Sequence, residues 1–282
     1  PQYRAGLRAA QLAGESVLEA GGPALEAVCA AVCQLEDDPL FNAGRGATLD
    51  AAGHAVHDAS VMDGSGSAGA VTGSRVIRHP VLAARAVLEL SPHVFIADPD
   101  AELAHSWGLV TEAPEWFVTD ERRHGLAEAK RTGTRGPAHG TVGAVALDVS
   151  GQLAAATSTG GMTNKAVGRI GDSPVIGAGM YAHRGTVAVS CTGMGEAFLE
   201  SVAAHEVHAR VAHLHESAAD AVRHVLDEEI APRHSDGGMI VADASGRIVV
   251  AHNSAMLFAA WRTASGELET LLNSLPGAQP AG

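Results

Sequence analysis

The chain has 282 residues, 46% of them hydrophobic and 18% charged, with a formal net charge of −13. That is ample apolar material for a core, in one large domain or two ordinary ones. The acidic balance excludes nucleic-acid or acidic-membrane binding as the main activity, since both need basic patches. The opening stretch carries Arg4, Arg8, Glu15 and Glu19 within its apolar pattern, so it does not read as a signal peptide, and no run approaches the ~18 apolar residues of a membrane span. Three cysteines, Cys29, Cys33 and Cys191, are too few for a disulfide framework. Reduced thiols and a cytoplasmic location are the expectation.

Taken in chain order, residues 4–20 form a helix stopped by Gly21-Gly22, and Pro23 opens a second over 23–36, where Leu25, Val28, Val32 and Leu35 recur at helical spacing. Strand-like pieces follow near 54–62 and 69–78, with helices at 80–90 and 99–108. Residues 119–140 lose apolar periodicity and turn basic, with Arg122, Arg123, Lys130, Arg131 and Arg135, a linker by composition. From Thr141, TVGAVALDV and QLAAATST read as a hairpin of buried strands turning on Ser150-Gly151. PVIGAGMYA and GTVAVSC add two strands, helices follow at about 196–216 and 217–230, and MIVADASGRIVVAH closes as a hairpin. Helices flanking groups of strands predict an α+β layered architecture rather than a βαβ repeat.

The junction His139-Gly140-Thr141 stands where the linker ends and a buried strand begins. Cleavage before Thr141 would give that residue both a nucleophilic Oγ and a free α-amine with a pKa of about 8, low enough to serve as its own base. Read alone, Thr141 is more simply a β-branched residue opening a strand, since Gly-Thr pairs are common.

Its surroundings carry more. HGTVGAVALD, ATSTGGMTNKAVGRIGDSPVIGAG and CTGMGE, together with DDPLFNAGRGATL, DASVMDG and HPVLAARAVLELSPHVF in the first half, resemble the plant-type L-asparaginase/isoaspartyl peptidase family of N-terminal-nucleophile hydrolases. The likeness runs from about residue 5 to 262. It implies a single domain, 1–282, built as a four-layer αββα sandwich and autoprocessed between Gly140 and Thr141 into chains 1–140 and 141–282. It implies Thr141 as nucleophile, Thr159 orienting it, and Thr192 with Gly193 as the oxyanion hole. Arg169 and Asp172 would grip the substrate's α-carboxylate and α-ammonium, with Gly193 and Gly195 also contacting substrate and Asn42 in support. A fork-shaped guanidinium suits a carboxylate, and a nearby carboxylate suits an ammonium, although Arg169 and Asp172 could also be an ordinary salt bridge. TGMG could likewise be a strand-to-helix turn, and Thr159 a cross-strand packing residue.

The resemblance also implies a structural sodium ion on backbone carbonyls of Leu35, Glu36, Asp38, Phe41, Ala43 and Arg45, no organic cofactor, and a dimer of processed heterodimers acting on L-asparagine and β-aspartyl peptides. Three departures stand out, one of them a fairly short linker that is compatible with cleavage but gives less slack for rearrangement. Members of the family begin with a strand carrying an HGGAG-like segment, and nothing like it precedes Tyr3, which predicts an unpaired sheet edge and either a fragment or impaired processing. Met194 replaces a small or polar residue and is expected to narrow the site. Two other readings remain: a glycosylasparaginase-like amidohydrolase, and a processing-dead relative that binds aspartyl ligands. His205, His208, His213 and His215 crowd one segment, but HEVH is not a zinc-binding HExxH, and a solvated helix face with no metal is expected. Cys191 is expected to be an inert buried thiol rather than a nucleophile.

Overall fold

The computed structural model describes residues 1–133, 140–263 and 265–274, with the side chains of 273 and 274 left aside. Its first half runs α1 (Gln2–Glu19), α2 (Ala24–Asp37), β1 (His57–Asp63), β2 (Ala68–Ser74), α3 (Pro80–Leu90), β3 (Phe95–Ala97), α4 (Ala101–Ser106) and α5 (Asp120–Thr132). The second half runs β4 (Val142–Leu147), β5 (Leu153–Thr159), β6 (Met180–Ala182), β7 (Val187–Gly193), α6 (Gly195–Ser201), α7 (Ala203–His213), α8 (Ala218–His224), β8 (Gly237–Asp243), β9 (Ile248–His252), β10 (Met256–Arg262) and β11 (Leu268–Ser274).

Period-two alternation along the central strands builds the layers. A five-stranded sheet, ordered β3-β2-β1-β5-β4, stacks on a four-stranded sheet ordered β6-β7-β8-β9. On β5, Ala154 and Ala156 join Val28, Val32, Val81 and Val87 of the covering helices, whereas Leu153 and Ala155 point the other way, to Met180, Ala182 and Ala188 of the second sheet. The outer face of that sheet, Val187, Val189, Cys191, Met239 and Val241, is sealed by Val207, Val222 and Leu226. The result is helix on sheet on sheet on helix, the four-layer αββα arrangement. Small residues in the middle layer let the sheets approach closely: a Cβ on Gly143 would collide with Ser190 Oγ.

The basic stretch predicted as a linker is mostly α5. Thr119 Oγ1 caps it by accepting from Arg122 N–H at 3.2 Å, Asp120 and Glu121 occupy the first turn, Lys130 and Arg131 the last, and Gly133 ends it at φ +69°. Only Leu126 and Ala129 of that helix are buried, too few to register as periodicity. The rest of the expected linker, 134–139, lies outside the described residues. The single helix expected over 196–216 is broken at Val202, φ +49°, because the first amides of α7 turn to other carbonyls: His205 N–H donates to Gly177 O at 2.8 Å and Ala204 N–H to Ala178 O at 3.2 Å. Strands β3, β10 and β11 had no counterpart in the sequence reading.

Among the described residues, β4 pairs only with β5 and β10 only with β11. A groove of about 430 Å³ runs along the open edge of β4, walled by Leu7, Ala10 and Gly14 of α1 and by Phe258 to Arg262 of β10. The β10–β11 hairpin clasps α1 through Phe258, which stacks on Tyr3 at 4.8 Å, and through Arg262, which donates to both carboxylate oxygens of Glu15.

Candidate active site

Thr141 sits at the threshold of β4, with β5 beside it in antiparallel register, Val142 opposite Ser158. Its hydroxyl donates to Thr159 Oγ1 at 3.2 Å, and Thr159 Oγ1 accepts a second hydrogen bond from Gly161 N–H at 3.0 Å. The bond before Thr141 belongs to a residue that must be glycine. Gly140 has φ +144°, and a Cβ there would lie 2.7 Å from Asn42 Cβ.

Asn42 is the rivet under this corner. Its Nδ2 donates to Gly161 O at 2.7 Å, its Oδ1 accepts from Thr48 N–H at 2.7 Å, and its own carbonyl accepts from Gly160 N–H at 3.0 Å. The loop after α2 is thus stitched to the end of β5, and Thr159 cannot move without it. Arg122 of α5 holds the same loop, donating from Nε to Gly46 O at 2.5 Å and from Nη2 to Leu40 O at 3.3 Å.

Gly140, Thr141, Asn42 and Thr192 line one cavity of about 310 Å³, with Tyr3, Phe41 and Met256 among its apolar walls. Thr192 Oγ1 is buried without a hydrogen-bond partner. Gly193 follows at the end of β7, opposite Gly237; a Cβ there would lie 2.5 Å from Asp236 O. Met194, expected to narrow the site, is not part of the cavity wall.

Arg169, Asp172 and Gly195 form a second group that does not line that cavity. A Cβ on Gly195 would lie 2.9 Å from both Arg169 Nη2 and Asp172 Oδ1. Gly161 joins the two groups, since a Cβ on it would be 3.4 Å from Arg169 Nη1. Asp172 is 4% exposed, its Oδ2 has no hydrogen-bond partner, and burial pushes its carboxyl up to about 7 against the pull of Arg169. Arg169 is engaged in a bidentate pair with Glu196, Nε to Oε1 at 3.0 Å and Nη2 to Oε2 at 2.9 Å, and not with Asp172. Glu196 is about half exposed, so solvent reaches this pair and another carboxylate can take the place of Glu196 on the guanidinium.

Sequence reasoning missed Glu196 and a buried cation, Lys165, which is 4% exposed and donates from Nζ to Val56 O at 3.1 Å. Burial lowers the Lys165 pKa while Asp58 and Asp50 hold it up, and Asp58 Oδ2 has no hydrogen-bond partner. The only hint was a lysine, in MTNK, next to an otherwise small and apolar stretch.

The histidine group resolves differently from a solvated face. His205 and His208 lie on α7, but His208 is buried, bonded through Nδ1 to Thr186 Oγ1 at 2.8 Å and packed against Tyr181 and His183. His215 lies beyond the helix at φ +57°. Cys191 is buried, and burial holds its thiol well above the usual range, as befits an inert residue.

Comparison with known proteins agrees with this geometry. The family described as asparaginase matches residues 1–272. An isoaspartyl peptidase of Salmonella typhimurium is 46% identical over 261 residues, covering 88% of this chain and 83% of its own. The isoaspartyl peptidase of Escherichia coli is 44% identical, covering 92% and 85%, and the mouse isoaspartyl peptidase/L-asparaginase 42% identical, covering 90% and 80%.

Proposed function

This chain belongs to the asparaginase family and is a hydrolase, and from that premise we propose that it hydrolyses the side-chain amide of L-asparagine and the β-peptide bond of isoaspartyl dipeptides, using Thr141 as an N-terminal nucleophile. The observation that carries this reading is the pair Thr141–Thr159, hydroxyl to hydroxyl at 3.2 Å, immediately after a glycine whose backbone no other residue would adopt comfortably.

In the intact chain, Thr141 Oγ attacks the Gly140 carbonyl carbon, the C–N bond between the two residues breaks, and water hydrolyses the resulting ester. Thr141 then carries a free amine. In turnover that amine takes the Oγ proton as Oγ attacks the β-carbonyl of the substrate. Thr159, fixed by Gly161 N–H and through Asn42, keeps the nucleophile in one rotamer. The Thr192 hydroxyl, buried and without a partner, and the Gly193 N–H supply donors for the oxyanion. Ammonia or an amino acid leaves with the proton, and water releases L-aspartate.

Arg169 exchanges its Glu196 partner for the substrate α-carboxylate, and Asp172, deprotonated, accepts the α-ammonium beside Gly195. Blocking either group on the substrate therefore abolishes turnover, and normal turnover of an N-acylated asparagine would overturn the assignment.

Close backbone packing in the loop from Leu35 to Arg45 supports a hard monovalent cation there. A Cβ on Gly44 would collide with Glu36 O, and one on Gly46 would lie 2.8 Å from Phe41 O, so glycines let carbonyls crowd the inside of the loop. Carbonyls of Leu35, Glu36, Asp38, Phe41, Ala43 and Arg45 would hold sodium there, which would stiffen the segment that carries Asn42. No helix among the described residues is long and apolar enough to cross a membrane. A cytoplasmic enzyme with reduced thiols, assembled as a dimer of processed heterodimers, completes the proposal.

Intact mass under denaturing conditions, for the parent and for Thr141→Ala after prolonged incubation, is the test. Two fragments divided at Gly140/Thr141 in the parent alone, with activity appearing alongside them, are expected. A parent that stays whole would overturn the enzyme reading in favour of an aspartyl-ligand-binding protein.

A further inference from the structure

The C-terminal turn of α2 meets the N-terminus of α3 at three side chains that the reaction does not use. Cys33, Glu36 and His79 place a thiol, a carboxylate oxygen and a ring nitrogen within 4.8 Å of one another. Glu36 is fully buried. Its Oε1 is satisfied, accepting from Val81 N–H at 3.0 Å and from Ser158 Oγ at 2.6 Å. Its Oε2 has no hydrogen-bond partner, nor does the buried His79 Nδ1, although the two stand 3.3 Å apart. A proton shared between the two satisfies both in the free chain, and a metal ion in the place of that proton would be held by the same two atoms.

We propose that Cys33, Glu36 and His79 form a binding site for a borderline-soft divalent transition metal, of which zinc(II) is the type. Thiolate, carboxylate and imidazole is a donor set that zinc takes as three ligands with the fourth position left to water. The other imidazole nitrogen supports it. His79 Nε2 lies 3.7 Å from Asp37 Oδ2, near enough for that carboxylate to favour a proton on the outer nitrogen and leave the inner one to the metal. Cys33 and His79 are both partly exposed, which gives the ion an entry path.

Binding displaces the Cys33 thiol proton to solvent. A bound dication favours the thiolate over the thiol. The site is separate from the sodium loop, which uses the main-chain carbonyl of Glu36 and not its carboxylate. Glu36 ties α3 to Ser158, the neighbour of Thr159, so the ion would brace the strand end that orients the nucleophile.

The experiment is titration of the chelator-treated full chain with zinc(II) and cobalt(II), by calorimetry and by the thiolate-to-cobalt charge-transfer absorption. One equivalent is expected, with the absorption lost in Cys33→Ser and affinity falling at least ~10-fold in His79→Ala and in Asp37→Asn. His205→Ala, in the cluster on α7, should bind as the parent does. Absence of a tight equivalent, or binding unchanged in Cys33→Ser and His79→Ala but lost in His205→Ala, overturns the proposal.

Discussion

Replacing Asp172 by Asn isolates the cost of keeping a carboxylate ready for an ammonium. Burial raises this carboxyl from 3.8 to about 7. At 1.36 kcal/mol for each tenfold change in proton affinity, that rise corresponds to about 4 kcal/mol. For an acid whose pKa is higher folded than unfolded, the native state binds more protons through the interval between the two values. Stability is therefore full below about 3.8, falls progressively as pH rises, and has lost that amount above about 7. The amide of the variant has no charge to desolvate, so denaturant unfolding from pH 4 to 8 should show the parent losing up to about 4 kcal/mol relative to Asp172→Asn. Added L-aspartate, whose ammonium would pair with the carboxylate, should recover part of that loss in the parent and none in the variant. Parallel pH profiles for the two proteins would refute the reasoning, as would a profile in the parent that L-aspartate leaves untouched.

His57 carries the opposite sign: burial lowers its pKa from 6.5 to about 4, so stability falls as pH drops through that window, and His57→Asn should lose this dependence in the same unfolding series. Thr159→Ala removes the acceptor 3.2 Å from Thr141 Oγ1 and should slow both fragment formation and asparagine turnover by roughly 10-fold, with Thr159→Ser restoring most of each. Since Glu196 is half exposed and gives up Arg169 to the substrate, Glu196→Ala should change KM for asparagine by less than about 5-fold. Arg169→Lys, which cannot make the two-point contact, should raise it by roughly 10-fold or more.

The layered fold was legible because its signals are local and redundant. Short runs of small and apolar residues in β5 and β7, Gly21-Gly22 and Pro23 between α1 and α2, and the Ser-Gly turns each point the same way. What escaped has a common cause. Helix α5 buries two side chains, β3 has three residues, and β10 and β11 lie over α1 with half-buried faces, so none writes a strong pattern. At the candidate site, the residues in long motifs were visible but their partners were not. Arg169 and Asp172 stand three apart in GRIGD, yet Arg169 bonds Glu196, 27 positions on, a pairing that only the approach of β7 and α6 creates. Asn42 could be named from its motif, whereas its three hydrogen bonds to Thr48, Gly160 and Gly161 follow from the loop meeting β5.

Cutting the chain at Gly140 should leave the molecule in one piece, because the cut falls where no layer ends. The first 140 residues contribute β1 to the centre of the five-stranded sheet, and the remainder contribute β5 and β4 beside it. The β1–β5 ladder runs from Asp58 opposite Thr159 to Asp63 opposite Ala154, with Ala59 and Val61 sharing one core with Ala154 and Ala156. Glu36 bonds Ser158 across the same boundary, Ala24 N–H donates to Asp148 at 3.0 Å, and the β10–β11 hairpin grips α1. Each piece alone would expose a sheet edge and the apolar face of its partner, a cost far beyond the entropy gained by release. Under native conditions the processed protein should therefore elute at the same size as Thr141→Ala, both fragments migrating together, and separate only in denaturant. Elution of either fragment alone, without denaturant, would show that the boundary between the pieces is not the continuous core described here.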